Sequence, residues 1–267
     1  METYQLKKIT IIVLLLVNLA LLGLLGQGAL QQRSAERQTL MQLKDLYLSS
    51  GVELALEALP RTEKQSSYTV QHNAQAEAAF AEAFLGEADM QESGSSMLYS
   101  SQLGAMRLRR NSAFELNMYT LSLTESSCLH LFDELGYTAA PYHDSDNTSY
   151  YLTQIVDGLP ILGSPVTLHF SNSLLTTASG FYITGLQEGE PLSPYTAADA
   201  LSAFLQYTSE REITPLRVEG IFSTLHLSAE TLFQSTLLPA WVIQTESSSY
   251  YVSYGGDEIA LLQPGIF

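Results

Sequence analysis

Five histidines, one cysteine and 28 acidic residues are the groups in this 267-residue chain with the chemistry to act as ligands, nucleophiles or acids. A zinc site needs its ligands at spacings such as H-x-x-x-H or H-E-x-x-H. His72, His130, His143, His169 and His226 are scattered and form neither. Cys128 falls on the apolar side of a predicted helix beside Leu129, Phe132 and Leu135, the setting of an inert thiol rather than a nucleophile. The run His143 to Asn147 (HDSDN) resembles the start of a calcium loop. It lacks the glycine at the sixth position and the closing glutamate, so it reads as a solvated turn. No G-x-S-x-G elbow, Walker loop or dinucleotide fingerprint is present. A carboxylate pair could meet in a cleft by chance, but no spacing points to one. The sequence therefore predicts no catalytic residue, no cofactor and no metal, and a protein that is not an enzyme.

Binding residues have more support than catalytic ones. Tyr150-Tyr151 and Tyr250-Tyr251 lie in strand-like runs, where neighbours point to opposite faces, so one ring of each pair is expected to be buried and one available for contact. Trp241, the single tryptophan, follows Pro239 in a strand and reads as a core plug before a ligand platform. Arg107, Arg109 and Arg110 are the one basic concentration of the chain beyond its first residues. They alternate with Met106 and Leu108, the pattern of a sheet with one wet face, and read as a solvated or salt-bridged face, with docking of an acidic partner as the alternative.

The elements that must position these residues follow from periodicity. The run Ile9 to Leu25 (ITIIVLLLVNLALLGLL), entered through Lys7 and Lys8, would make a helix roughly 26 Å long, near the ~30 Å of a hydrocarbon core. It is read as one spanning helix with Met1 on the cytoplasmic side. A cleaved signal is the runner-up, and no clean A-x-A site follows to support it. Asn18, Ala20 and Gly23 lie near one side of that helix, where small and amide side chains allow close helix contact, so they are candidate partner-binding residues with Tyr150 and Tyr250. Beyond the first 26 residues, 10 basic against 27 acidic residues leave a formal charge of −17, which repels nucleic acid and anionic headgroups.

A helix over about 30–49 carries Leu40, Leu43 and Tyr47 on one stripe, read as a stalk or as a surface for a partner's equivalent helix. Further helices are predicted at Ala74 to Leu85, ended by Gly86, at Leu123 to Leu135 behind a Ser122/Glu125 capping box, and from Thr196 with Asp199 as partial capping box. Strands are expected around 68–70, 97–103, 105–110, 113–121, 149–155, 166–170, 174–183, 217–227, 239–245 and 250–253, with turns at Asp157-Gly158 and Ser171-Asn172. A helix followed by a small antiparallel meander recurs at Ala74, Leu123 and Thr196. The expected fold class is α+β: an N-terminal single transmembrane helix followed by repeated helix plus antiparallel-sheet subdomains. The expected divisions are 1–8 cytoplasmic stub, 9–26 span, 27–60 juxtamembrane helix and linker, 61–121 first subdomain and 122–267 C-terminal subdomain.

Several short motifs resemble the YycI/YycH group of envelope proteins, YycI most closely. They are the span with its late Asn18, Gly51-Val52 then Leu59-Pro60, Gln154 followed by Asp157-Gly158-Leu159-Pro160-Ile161, the Ala197-to-Leu205 helix, and Pro239-x-Trp241 before Tyr250-Tyr251-Val252. The last pattern also occurs in PepSY-type domains. The resemblance implies a single-pass cell-membrane protein with an extracytoplasmic C-terminal domain that regulates a two-component sensor histidine kinase together with a YycH-like co-regulator. The alternative is a PepSY-like envelope module that binds or inhibits a peptide or protease.

Overall fold

The computed structural model describes residues 34–61, 65–143, 149–211, 213, 217–229 and 235–262. Four helices occur among them: α1 (34–49), α2 (Ala74–Leu85), α3 (Glu125–Glu134) and α4 (Ala197–Glu210). The strands are β1 (Glu53–Leu54), β2 (Ser66–Val70), β3 (Asp89–Ser93), β4 (Ser96–Ser100), β5 (Gly104–Arg109), β6 (Ala113–Met118), β7 (Tyr137–His143), β8 (Ser149–Val156), β9 (Leu159–Leu162), β10 (Val166–Ser171), β11 (Leu174–Phe181), β12 (Leu186–Pro191), β13 (Arg217–Ala229), β14 (Ser235–Thr245), β15 (Ser249–Ser253) and β16 (Ile259–Leu262).

The strands divide into two lobes. The first is an antiparallel sheet in the order β3-β4-β5-β6-β11-β10-β8-β7. Alternation along β5, with Met106 and Leu108 buried and Arg107 and Arg109 exposed, gives it one dry face. Helices α2 and α3 cover that face with Phe80, Phe84, Cys128 and Phe132, packed on Phe114, Leu116, Leu152 and Leu168. Each helix has the start that its sequence dictates. Asn73 caps α2 by accepting from the Ala76 N–H, and Thr124 caps α3 by accepting from Ser127. The expected Ser122/Glu125 box is therefore displaced: Thr124 takes the extended cap conformation, and Glu125 instead accepts a hydrogen bond from the Tyr150 hydroxyl.

The second lobe is built on the long antiparallel pair β13–β14, from Val218–Thr245 to Ala229–Ser235. Each outer edge of this pair is forked. Along β14, β2 pairs at Ser235–Leu237 and β15 at Ala240–Gln244. Along β13, β1 lies parallel at Arg217–Val218 and β9 parallel at Leu225–His226. Pro239, which has no N–H to give, sits where β14 passes from one outer partner to the other, so the ladder loses nothing there. Helix α4, with a full Thr196/Asp199 capping box, lays Leu201, Phe204 and Leu205 on Trp241, Ile243 and Tyr250. Helix α1 buries Leu40, Leu43 and Tyr47 in the same cluster, and the Tyr47 hydroxyl donates to the Leu201 carbonyl at 2.7 Å. The α1 stripe is thus covered by α4 of its own chain. Each such buried leucine is worth about 1.5–3 kcal/mol.

Four connections join the lobes. The chain leaves β2 for α2, returns from β11 to β12, crosses in the β8–β9 hairpin and goes back from β9 to β10; the hairpin turn has Asp157 at φ 49° and Gly158 at φ 79°, the two-residue turn that Asp-Gly favours. Gln154 ties the second of these in place. Its buried amide donates to the Ile183 carbonyl at 2.7 Å and accepts from the Ile183 N–H at 3.0 Å.

These pairings correct the expected fold class. The described chain is mostly β-sheet with four helices, and no helix among the described residues is long and apolar enough to cross a membrane. The transmembrane helix expected over 9–25 lies outside the described residues and is no part of the fold class that the structure defines. Nor are there repeated helix-plus-meander units. Helices α2 and α3 share one sheet because β6, in the meander after α2, pairs with β11, which follows α3, while β2, which precedes α2, belongs to the other lobe beside β14. The 121/122 division falls between β6 and α3, whose buried residues share one core cluster.

Gly185 lies at the return crossing with φ 64°, where an added Cβ would stand 2.3 Å from the Gln71 carbonyl oxygen. Gly185→Ala combines a left-handed backbone with a backbone clash. It is expected to lower the stability of the domain by about 2–3 kcal/mol, read as a lower urea midpoint at unchanged slope.

Candidate functional site

One face of the β13–β14 pair carries Ser223 and Leu225 along β13 and Pro239 and Trp241 along β14, of which Leu225, Pro239 and Trp241 are buried. The α1 and α4 layer covers one end of the face, and the β8–β9 hairpin with Tyr68 covers the other. Between them lies a small cleft of about 80 Å³. Its floor is Leu225, Pro239, Ala240 and one edge of Trp241; its walls are Gln65, Ser66 and Tyr68 on one side and Asp157 and Leu159 on another, with Arg61 at the rim. An apolar floor with a few converging polar groups, set where two lobes meet, is the usual form of a ligand site.

The walls are held rigid by hydrogen bonds. The Tyr68 hydroxyl donates to Asp157 Oδ2 at 2.6 Å, and this bond, aided by burial and the negative charges of Asp157 and Glu188, pushes its pKa up to about 12. Gln65 donates to the Tyr195 carbonyl at 3.0 Å and accepts from the Tyr195 N–H at 2.8 Å. The same carbonyl accepts from the Trp241 indole N–H at 2.9 Å. Ser66 donates to Glu188 at 2.8 Å, and Thr224 to the Pro160 carbonyl at 2.7 Å. Trp241 is 1% exposed, so its bulk plugs the core as its sequence setting suggests, while its edge reaches the cleft.

A second concavity, about 330 Å³, gathers His72, Glu77, Glu92, Arg109 and Arg110 of the first lobe. There His72 Nδ1 lies 2.6 Å from Glu77 Oε1, and Glu77 is buried on α2. Burial raises its carboxyl above the ordinary value; the His72 charge and hydrogen bond and the Asn73 N–H pull the other way without cancelling it. Tyr99 and Tyr182 are raised as well, by burial first and by the Glu77 charge second. Hydrolysis by paired carboxyl groups needs two of them about the reacting bond. The second carboxylate here, Glu92, is exposed and lies 3.4 Å from Arg110. This arrangement can hold one proton near one acid.

The other reactive groups are committed elsewhere. Cys128 is fully buried, and burial pushes its thiol up to about 12. His226 is stacked on Tyr251 at 4.7 Å and lowered by burial, an effect that Glu258 partly opposes. Arg109 reaches Glu115 at 2.6 Å and Arg107 reaches it at 3.9 Å, so the basic strand face is a salt-bridged one. No group of three or more His, Cys, Asp or Glu placed to hold a metal occurs among the described residues.

Of the predicted partner-binding residues, Tyr150 and Tyr250 lie among the described residues, Tyr150 on β8 of the first lobe and Tyr250 on β15 of the second. Asn18, Ala20 and Gly23 lie outside the described residues, as does the HDSDN run from 144 onward. Tyr150 is half-buried, its ring edge-on to Phe170 at 5.5 Å and its hydroxyl bonded to Glu125. Tyr250 and Tyr251 are both buried, at 8% and 7% exposure, the first against Phe204 and the second against His226. Two adjacent strand residues are buried together because α4 covers one face of β15 and a smaller cluster around Leu162 and Val242 covers the other. The cleft was not foreseen. Its signals, Asp157-Gly158 and Pro239-x-Trp241, are present in the sequence as turn and strand motifs, but nothing local shows that they meet.

No family model matches the chain, and no curated protein sequence matches it. Among solved structures it is similar to an uncharacterized protein from Eubacterium rectale, at 10% identity over 79% of this chain and 85% of that one, with a TM-score of 0.43. It is also similar to the Bacillus megaterium YpeB C-terminal domain, at 10% identity over 73% of this chain and 99% of that one, with a TM-score of 0.35. Nothing in the comparisons singles out YycI.

The raised Glu77 carboxyl makes a pH prediction. A folded pKa above the unfolded one contributes stability at low pH that is lost as pH rises through the folded value. Glu77→Gln removes that titration. Relative to the wild type, the variant is expected to gain stability as pH rises from 4.5 through the raised value, as measured by urea midpoints at stepped pH.

Proposed function

We propose that this protein is a non-enzymatic interaction module that seats a segment of a protein partner in the cleft over Trp241. The observation that carries the reading is the cleft itself: an apolar lining over Trp241 where the two lobes meet, between walls already fixed by hydrogen bonds. A site of this kind is preorganised, so little ordering cost is paid on binding. The inert Cys128 thiol and the single shifted carboxyl of the other concavity favour binding over catalysis. The formal charge of −16 favours a protein partner over nucleic acid.

The finer reading rests on the motif resemblance: an accessory protein that regulates a two-component sensor histidine kinase, in company with a YycH-like co-regulator, through contacts of this folded domain. The alternative, a module that binds or inhibits a peptide or protease, uses the same cleft. A photo-crosslinking residue at Leu159, in the cleft wall, is expected to capture one discrete protein, and the same residue at the exposed Tyr119 of the other lobe to capture none. A sensor kinase in the crosslinked band supports the finer reading and a peptide or protease the alternative. Equal capture at both positions, or capture at Tyr119 alone, would contradict the proposal.

A further inference from the structure

Among the described residues, β3, β7, β12 and β16 each pair along one edge only, as does the two-residue β1. An open strand edge is a template for further pairing, and folded proteins blunt it with charge, proline or a bulge. Strand β3 carries Asp89 and Glu92 and is exposed throughout. Strand β12 carries Glu188, Glu190 and Pro191, with a break in register, and β7 carries Pro141, also with a break. Strand β16, Ile259–Leu262, has none of these devices: its four residues are uncharged and apolar, and its register with β15 is unbroken. Leu261 is nonetheless 58% exposed. The Ser253 N–H donates to the Glu258 carbonyl at 2.9 Å, which sets the phase of the β15–β16 ladder. Ala260 and Leu262 turn their main-chain groups to β15, so Ile259 and Leu261 turn their N–H and C=O to the open edge. Ile259 and Leu261 share the α4 side of the sheet, opposite Val252 and Tyr250, while Ala260 lies on the other face, opposite Tyr251.

We infer that β16 pairs with β16 of a second copy of this chain, antiparallel about a two-fold axis at Ala260, so that the two second-lobe sheets run into one. In this register Ile259 stands opposite Leu261 of the copy on the same face, and the outward main-chain groups of both find partners. The two Ala260 residues face each other on the axis, where the strands approach to about 4.5 Å between Cα atoms and a small side chain fits. The edge is thus self-complementary, as an isologous contact requires. Charge also favours a copy at this edge over the others. A chain of formal charge −16 repels itself wherever carboxylates meet, and pairing β3 with its own copy would bring Asp89 and Glu92 against theirs. At β16 the nearest carboxylate in the strand direction is Glu258, which accepts a hydrogen bond from the Tyr251 hydroxyl. The two Glu258 residues would lie about 14 Å apart, beyond a Debye length of ~10 Å at 0.1 M salt. No residue of β15 or β16 lines the cleft, so the pair presents two open clefts to a partner.

Cysteine crosslinking tests the pairing, because the native Cys128 is buried and leaves the background clear. The full chain carrying Ala260→Cys is oxidised with copper phenanthroline in a mild nonionic detergent, which keeps the apolar run Ile9 to Leu25 from associating. Facing residues of this kind on antiparallel strands lie within disulfide reach. The expected result is a disulfide-linked pair of chains on a non-reducing gel, and none from Tyr119→Cys, an equally accessible site on the other lobe. Leu261→Glu, added to Ala260→Cys, sets a carboxylate opposite Ile259 of the copy and near its own counterpart, and is expected to lower the disulfide yield about ten-fold. Leu261 is exposed, so this variant keeps its fold. Equal yields from positions 260 and 119 would overturn the inference, as would a yield at 260 that Leu261→Glu leaves unchanged. A thiol at 260 that reacts neither with its copy nor with a small maleimide would show the edge covered by the chain's own residues beyond 262, and would overturn it too. The binding role of the cleft does not depend on any of these results.

Discussion

The pairing of β13 with β14 is the constraint on which the second lobe depends. Every other strand of that lobe hangs on this ribbon or on a strand that does: β2 and β15 on one edge, β1 and β9 on the other, β12 beyond β2 and β16 beyond β15. The flanking strands leave a short gap on each edge, at Leu238–Pro239 on β14 and at 219–224 on β13, and the two gaps do not lie opposite each other. A sheet face left bare costs free energy, and α1 and α4 cover as much of it as two short helices reach. The β8–β9 hairpin and Tyr68 cover the other end, and the cleft lies between the two covers. The site follows from the way that the ribbon is flanked and needs no special loop.

The two lobes are also tied by this arrangement. The β8–β9 hairpin begins in the first sheet and ends beside β13, so its Asp-Gly turn delivers Asp157 to Tyr68 and forms a cleft wall from the far lobe. Gln154, two residues before the end of β8, fixes the return crossing at Ile183. Relative motion of the lobes would open or close the wall. The buried amide pair and the close approach of Gly185 to Gln71 oppose such motion. A partner therefore meets a site whose shape is set before it arrives.

Much of this was legible locally. The boundaries of α2, the Thr196/Asp199 box, the Asp157-Gly158 turn, the alternation of Met106 and Leu108 with Arg107 and Arg109, and the buried state of Trp241 and Cys128 all follow from short-range pattern. The edge strands β3 and β12 did not: Asp89–Ser93 is exposed throughout and Leu186–Pro191 nearly so, so neither carries the alternation that a half-buried strand shows. The cleft was illegible for a different reason. Its residues come from 61–68, 157–159, 223–225 and 239–241, and only the long-range pairing of β2 with β14 and of β9 with β13 brings them together. The same pairings undo the reading of a repeated helix-plus-meander, because sequence order shows which strand follows a helix and not which strand pairs with which.

The most direct test of the account is the amide and indole N–H spectrum of the protein, recorded with and without the partner that crosslinks at Leu159. The Trp241 indole signal and the amides of 65–68, 157–159 and 223–225 are predicted to move together, with the first-lobe edge at 89–93 unchanged. Shifts confined to 89–93, with the Trp241 indole unmoved, would place the binding surface on the other lobe and contradict the account.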